Sequence, residues 1–400
     1  MGRLAALILL GGALACSRGP ARTSARRELA TTDGNLARSN LDAMISSHEG
    51  MVRREPGWGS ARLSLVTLLL ARGSTYGRIE DLEAAEHVAE QGAVAAPHSP
   101  EAWLARASAR AGLHRFEEAR EDLQRAESLG AEPDAVRAQR ASIALARGDV
   151  DTALELARAG ASREPGMATS SALAVVLAES GDSTGAEREL ARALASYRDT
   201  SPFPVAFVEF RQGLLAERAG DLERAAGRYR AALRRLPGHA QAALHLASLE
   251  MARNDLDDAA VALASVLDVA SDPEIAATRA ELARRRGDLG TASRERETAR
   301  AQYLALLDRH PDAFADHAAR FFLDRDPKEA LRWATHNLEL RRTTEAFDLA
   351  LTAALRTGDS SGCRIAREAS ALPRTTPRLR ALAAGALGSC PASAGAGAAL

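Results

Sequence analysis

Two short stretches carry the residues expected around a nucleophilic serine. Gly181-Asp182-Ser183-Thr184-Gly185 and Gly358-Asp359-Ser360-Ser361-Gly362 both fit the G-x-S-x-G pattern of serine hydrolases. In a hydrolase this serine lies on a sharp turn between a buried strand and a helix. Here each stretch follows a segment of helical periodicity and takes the same place in a repeated unit. We therefore interpret both as turns between helices and expect no catalytic residue, with a hydrolase as the alternative.

Other chemically active side chains are scattered along the chain. His310 and His317 are a pair of histidines that could share a metal ion, but they lack the i, i+4 spacing of a helical metal site. We expect neither a metal nor a cofactor, and no small-molecule substrate. The chain has 52 basic and 53 acidic residues, so its formal net charge of -1 gives no support for nucleic acid as a partner.

The segments that carry these residues form a repeated unit. An alanine recurs at intervals of 33 to 39 residues, and in each unit it opens the second of two helical segments. A period near 34 with two helices per unit is typical of stacked helical repeats. The recurring positions are Ala85, Ala119, Ala153, Ala186, Ala225, Ala259, Ala292 and Ala330, with Cys363 in the ninth place.

A two-residue signal marks the joint between the helices of a unit, as in Gly220-Asp221. Gly or Asn can adopt the left-handed conformation that ends the first helix, and the aspartate can cap the free amides of the second. The sequence therefore predicts a tight turn at each copy of the signal. The other copies are Gly148-Asp149, Gly181-Asp182, Asn254-Asp255, Gly287-Asp288 and Gly358-Asp359.

Together these features resemble the tetratricopeptide repeat family over roughly residues 60 to 390. The resemblance implies an all-α protein, an α-solenoid that forms a right-handed superhelix of about nine helix-turn-helix repeats. It also implies a concave groove, lined by the first helix of each repeat, that binds a protein or peptide. The matching residues are Trp103, Gly213, Ala225, Tyr229, Ala232, Pro165, Pro237 and Pro311.

Composition and periodicity divide the chain into six segments. A solitary capping helix is predicted after the repeats because an end repeat would otherwise expose its apolar face, and an opening helix is predicted before them. The segments are a signal peptide (1-15), a flexible tether (16-38), an N-terminal helix (39-59), the repeat array (60-375), a capping helix (376-390) and a disordered tail (391-400).

The first sixteen residues indicate export and lipidation. The apolar stretch from Leu4 to Ala15 is too short to span a membrane, and it ends at Cys16. This arrangement resembles a bacterial lipoprotein signal, in which Cys16 becomes the lipidated N-terminus. By the same resemblance, Ser17 implies the outer membrane of a Gram-negative cell, with the protein facing the periplasm. The alternative is ordinary cleavage after Ala15, which also follows a small-x-small pattern.

The two remaining cysteines, Cys363 and Cys390, lie in the last repeat and at the end of the predicted capping helix. Because these two helices should pack antiparallel, the cysteines should be neighbours. In an oxidising compartment we expect a disulfide that closes a loop of about 28 residues. The alternative is two buried thiols in small core positions.

Bulky apolar residues on the first helices are candidates for the concave groove. An apolar groove can receive a partner helix or an extended peptide. The alternative is that Phe203, Phe207 and Phe210 simply pack beneath the four extra residues 201-204. The candidates are Phe207, Phe210, Leu214, Leu244, Met251 and Phe322.

The function expected from the sequence is that of a non-enzymatic scaffold. It would be anchored by lipid, face the periplasm and bind another protein or peptide of the cell envelope. The first alternative is a soluble periplasmic or secreted adaptor or chaperone of the same fold, and the second is an envelope hydrolase. The step from fold to binding rests on analogy.

Overall fold

The computed structural model describes residues 29-390, which contain twenty α-helices and no β-strand. The predicted signal peptide, Cys16 and the predicted tail lie outside these residues. The helices are α1 (Gly34–Arg54), α2 (Gly59–Tyr76), α3 (Ile79–Ala95), α4 (Pro100–Gly112), α5 (Phe116–Ser128), α6 (Pro133–Arg147), α7 (Val150–Arg163), α8 (Met167–Ser180), α9 (Ser183–Ser196), α10 (Pro202–Arg218), α11 (Leu222–Arg235), α12 (Ala240–Ala252), α13 (Leu256–Ala264), α14 (Pro273–Arg285), α15 (Leu289–Arg309), α16 (Pro311–Phe322), α17 (Pro327–Leu340), α18 (Thr344–Thr357), α19 (Ser361–Ser370) and α20 (Pro377–Gly388).

Helices α2 to α19 form nine consecutive pairs, with α1 before them and α20 after them. This arrangement confirms the predicted all-α solenoid of about nine helix-turn-helix repeats. The recurring alanines lie in the second helix of each pair. Those at positions 85, 119, 153, 186, 225, 259 and 330 are fully buried, because a small side chain there lets the paired helices approach closely.

The turns between paired helices have the predicted conformation. Gly220 has a φ of 77° and Asn254 a φ of 64°, both in the left-handed region that ends a helix. The carboxylate of Asp221 then accepts a hydrogen bond from the Arg224 amide at 3.1 Å, which caps α11. The other predicted turn glycines, at positions 148, 181, 287 and 358, also have positive φ.

Helix crossings are close where the sequence has its smallest residues. Gly213 of α10 faces the ring of Tyr229 in α11, and a Cβ built at Gly213 would lie 2.4 Å from Tyr229 Cε1. Tyr229 is fully buried. Glycine is therefore required at position 213, because any side chain would overlap the tyrosine.

The array divides into two compact units, which are described separately. Residues 29-145 and 150-302 form the first, and residues 146-149 and 303-390 form the second. In the second unit, Phe347 and Leu351 of α18 are fully buried in a core that also includes Ile365 of α19 and Leu379 of α20. Helix α20 therefore covers the last pair, as expected of a capping helix.

The first unit contains contacts between repeats that are far apart in sequence. The Ser271 amide donates to the Gly77 carbonyl oxygen at 2.9 Å, and the Ile79 amide donates to Ser271 Oγ at 2.9 Å. The rings of Tyr76 and Phe203 meet edge to face, with centroids 6.3 Å apart. A stack in which each repeat touches only its neighbours lacks such contacts, so this unit closes on itself.

Helix α1 begins earlier than the sequence indicated. Its first residue is Gly34, within the stretch assigned to a flexible tether, because the Asp33 carboxylate caps the amides of Asn35 and Leu36 at 3.0 and 3.1 Å. The tether prediction is therefore wrong for the last residues of its range. Between residues 29 and 390, no helix is both long enough and apolar enough to cross a bilayer.

Candidate partner-binding cleft

Both serine motifs lie in turns between paired helices. Gly181 has a φ of 90°, and Asp182 Oδ1 accepts from the Gly185 amide at 2.7 Å. Gly358 has a φ of 65°, and the carboxylate of Asp359 accepts from the Ser361 amide at 2.8 Å. Asp182 thus caps α9, and Asp359 binds the first amide of α19; no strand precedes either motif within the described chain. The interpretation of both motifs as structural turns is confirmed.

One group of acidic side chains in residues 29-390 has the spacing of metal ligands. Oxygen atoms of Glu250, Asp255 and Asp258 lie within 4.8 Å of one another. Glu250 is buried and already pairs with Arg230 at 2.7 Å, and Arg230 also lies 3.3 Å from Asp258. The arginine therefore balances the charge that a cation would otherwise neutralise.

The residues proposed to line the groove fall into two classes. Phe210, Leu244, Met251 and Phe322 are only 3 to 6% exposed and lie in the core. Phe210, for example, packs against the rings of three neighbours at centroid distances of 5.3 to 5.8 Å. For these four residues the assignment to an open groove is wrong in this conformation, because an alanine-rich solenoid needs bulky side chains to fill the gaps between repeats.

Phe207 and Leu214 are partly exposed. Leu214 lines a cleft between α8, α9 and α10, and the ring of Phe207 lies beside Arg211, another lining residue. The cleft is small: its cavity volume is about 10 Å³, and it is open to solvent. Its walls are aliphatic, and two guanidinium groups enter it. The lining residues are Ala174, Val175, Ala178, Leu190, Arg211, Leu214, Leu215 and Arg218.

The two arginines of the cleft have different environments. Arg218 pairs with Glu179 at 2.7 Å. Arg211 is partly buried, its guanidinium lies 5.8 Å from the centre of the Phe207 ring, and no carboxylate of residues 29-390 pairs with it. Burial lowers the pKa of Arg211 to about 10, so it stays protonated at neutral pH. Arg211 can therefore attract an anionic group that enters the cleft.

A polar cluster lies at Glu217, near the end of α10. His245 Nδ1 lies 2.9 Å from Glu217 Oε2, and the Tyr229 hydroxyl donates to the same oxygen. Burial acts to raise the pKa of Glu217, but the hydrogen bonds from His245 and Tyr229 outweigh it and lower this pKa. The same burial, together with the Glu217 charge, raises the pKa of Tyr229. This cluster fixes α10, the helix that carries Arg211.

Sequence reasoning did not single out Arg211, Glu217 or His245. A signal for Arg211 was present, since it lies four residues after Phe207 and three before Leu214, on the same helical face. Arg218 lies four residues after Leu214 on this face, and cations within an apolar stripe are the pattern of an amphipathic binding surface.

Cys363 and Cys390 are joined by a disulfide, with Cα atoms 5.8 Å apart. Cys363 lies in α19, and Cys390 follows the end of α20. The bond therefore ties the capping helix to the last repeat, as the sequence hypothesis stated. Cys16, the proposed lipidation site, lies outside the described residues.

The fold and its turns define a helical-repeat solenoid with a small apolar cleft. Residues 70–136 and 210–274 match the tetratricopeptide repeat family, which is less than half of the chain. The fold is accordingly an all-α solenoid of the tetratricopeptide type. No curated protein matches the chain.

Solved structures with a similar arrangement share little sequence. A chain of the APC/C hetero-tetramer Cut9-Hcn1 is 16% identical with a TM-score of 0.46; the match covers 82% of this chain and 63% of that one. Yeast Tom70 is 15% identical, with a TM-score of 0.36 and coverage of 88% and 94%. Pseudomonas aeruginosa pilF is 16% identical, with a TM-score of 0.29 and coverage of 69% and 94%.

Proposed function

We propose that this chain is a lipid-anchored scaffold that faces the periplasm and binds another protein of the cell envelope through the cleft between α8 and α10. The observation that carries the binding site is the protonated guanidinium of Arg211, which has aliphatic walls around it and no carboxylate partner in the described chain. A buried charge without a partner is costly, and a ligand that neutralises it recovers that cost.

The chemistry of the cleft indicates what the partner offers. A carboxylate would pair with Arg211, and a small aliphatic side chain beside it would contact Val175, Leu190 and Leu214. Such a segment is an extended or helical peptide with an acidic residue next to an apolar one. The neighbouring Arg218 is held by Glu179 and would form the rim of the site.

The lipid anchor is supported by the apolar stretch that ends at Cys16. The alternative is a soluble periplasmic adaptor or chaperone, which the small residues Ala13 and Ala15 also allow. Mass spectrometry of the mature N-terminus separates the two. A diacylated Cys16 supports the anchor, and an unmodified N-terminus after signal cleavage contradicts it.

Binding is tested by co-purification from envelope membranes with quantitative mass spectrometry. Wild-type protein should enrich a specific envelope protein that is lost with Arg211→Gln and retained with Arg158→Gln, which removes an exposed arginine that has no ion pair in the structure. Ala178→Glu should also abolish capture, because the new carboxylate would lie in the cleft and pair with Arg211. Equal enrichment by all four proteins would contradict the proposed site.

A further inference from the structure

The first described residues are fixed to the body of the first unit. We call residues 29-33 the N-terminal strap. The Thr32 amide donates to the Thr200 carbonyl oxygen at 2.8 Å, and Arg235 Nη1 donates to the Leu29 carbonyl oxygen at 2.5 Å and to Thr31 Oγ1 at 3.1 Å. Leu29, the first described residue, is therefore held at one defined place, beside the end of α11 and the start of α10.

Three arginines near the strap have no acidic partner within the described chain. Arg198 donates only to carbonyl oxygens of its own segment, and it precedes Thr200, which binds the strap. The charges of Arg228 and Arg234 act with that of Arg235 to lower the pKa of Glu209, although burial raises it overall. Arg228 and Arg234 therefore act on the same carboxylate, Glu209, that pairs with Arg235 at 3.4 Å.

Three other arginines on α9 to α11 have acidic partners: Arg192 pairs with Glu189, Arg218 with Glu179 and Arg224 with Glu187. Arg211 of α10, at the cleft, has none. Beside the strap, the three unpaired arginines leave cations in excess.

The acids at this place are already engaged. Asp33 caps α1 through the Asn35 and Leu36 amides, and Asp199 accepts from the Thr200 amide at 2.6 Å. They reduce the excess positive charge without forming ion pairs with Arg228 or Arg234.

The sequence before the strap also carries a net positive charge. Residues 17-28 contain four arginines and a single acid, Glu28. The first described residue therefore lies beside the unpaired arginines, and the sequence that precedes it is basic.

We propose that the face formed by the strap, Arg198, Arg228 and Arg234 binds an anionic lipid surface. The proposal rests on the lipid anchor for its orientation: Cys16 precedes Leu29 by 13 residues, a span of at most about 45 Å. A bilayer that holds acylated Cys16 is thus within reach of this face. Basic side chains close to anionic headgroups contribute attraction that adds up with their number and weakens with salt.

The test uses the full-length chain carrying Cys16→Ala, so that no acyl chain contributes. Sedimentation with vesicles of phosphatidylcholine and phosphatidylglycerol should show binding that high salt abolishes, and vesicles of phosphatidylcholine alone should not bind. Arg228→Gln with Arg234→Gln should weaken binding about fivefold for each substitution. The matched control is Arg158→Gln with Arg367→Gln, two exposed arginines without ion pairs in the structure, and it should bind as the parent does.

The outcomes separate this proposal from the lipid anchor. The proposal is overturned if the anionic vesicles do not bind, or if the control pair weakens binding as much as the double variant does. Neither result bears on the acylation of Cys16, which mass spectrometry of the N-terminus tests. Circular dichroism of each variant shows whether the fold is retained. If the double variant unfolds, Arg234→Gln alone is compared with Arg367→Gln, and equal binding overturns the proposal.

Discussion

His239 should make the stability of the first unit depend on pH between neutrality and about pH 4. It is 7% exposed, precedes α12, and its Nδ1 accepts from the Ala242 amide at 3.4 Å, which requires the neutral ring. Burial lowers its pKa to about 4, against about 6.5 in an unfolded chain. Between about pH 6.5 and pH 4, His239 therefore binds a proton in the unfolded state but not in the folded state. The free energy of unfolding should fall by about 3 kcal/mol from this group as the pH drops to 4.

Urea unfolding of wild type and His239→Asn at several pH values measures this effect. Asparagine keeps an acceptor at the N-cap and does not titrate, so the variant should lose about 2 to 3 kcal/mol less between pH 7.5 and 4.5. Glu217 has a lowered pKa, which also favours the folded state at higher pH, and Glu209 has a raised pKa, which has the opposite effect. Both are present in wild type and in the variant, so their contributions cancel when the two free energies of unfolding are subtracted.

The exposed His98 supplies the control, and His98→Asn should leave the pH dependence unchanged. An imidazole of His239 that titrates near 6.5 by NMR, or a variant with the same pH dependence as wild type, would refute the reasoning.

Three further outcomes follow from packing and turn geometry. Gly213→Ala should lower the free energy of unfolding by about 1 to 3 kcal/mol, because its methyl group would overlap the buried ring of Tyr229. Gly227→Ala is the control and should not destabilise, because a methyl group there meets open space. Equal melting temperatures of the two variants would count against the close crossing of α10 and α11. Cys363→Ser should cost about 3 kcal/mol in urea unfolding, since it opens a loop between residues 27 apart, and a variant as stable as wild type would argue against the bond. Ser183→Ala and Ser360→Ala should leave fluorophosphonate labelling unchanged, and labelling that disappears with either substitution would revive the hydrolase alternative.

The repeat architecture could be predicted because its determinants are local and recur. The alanines at the helix crossings and the Gly-Asp turns each carry a fixed stereochemical requirement, so their period reports the number of helix pairs. The joint at Gly220 and Asp221 has the expected left-handed residue and cap. Once the period was known, it also placed Cys363 beside the end of the capping helix.

The closure of the first unit could not be predicted from the period. It depends on the small rotation between successive repeats, which accumulates over many helices before Ser271 meets Gly77. The prediction that Phe210 and Leu244 line an open groove was wrong for a related reason. Whether Phe210 or Leu244 faces a partner or fills the core depends on the distance between adjacent repeats, and that distance is set by all the small residues around them.

The dissociation constant of the co-purified envelope partner for wild type and for Arg211→Gln tests the central claim most directly. Loss of one member of a desolvated ion pair typically costs 2 kcal/mol or more, so calorimetry should show binding weakened at least about tenfold, with Arg158→Gln unchanged. An Arg211→Gln protein that remains folded and binds the partner as tightly as wild type would contradict the claim that this cleft is the binding site.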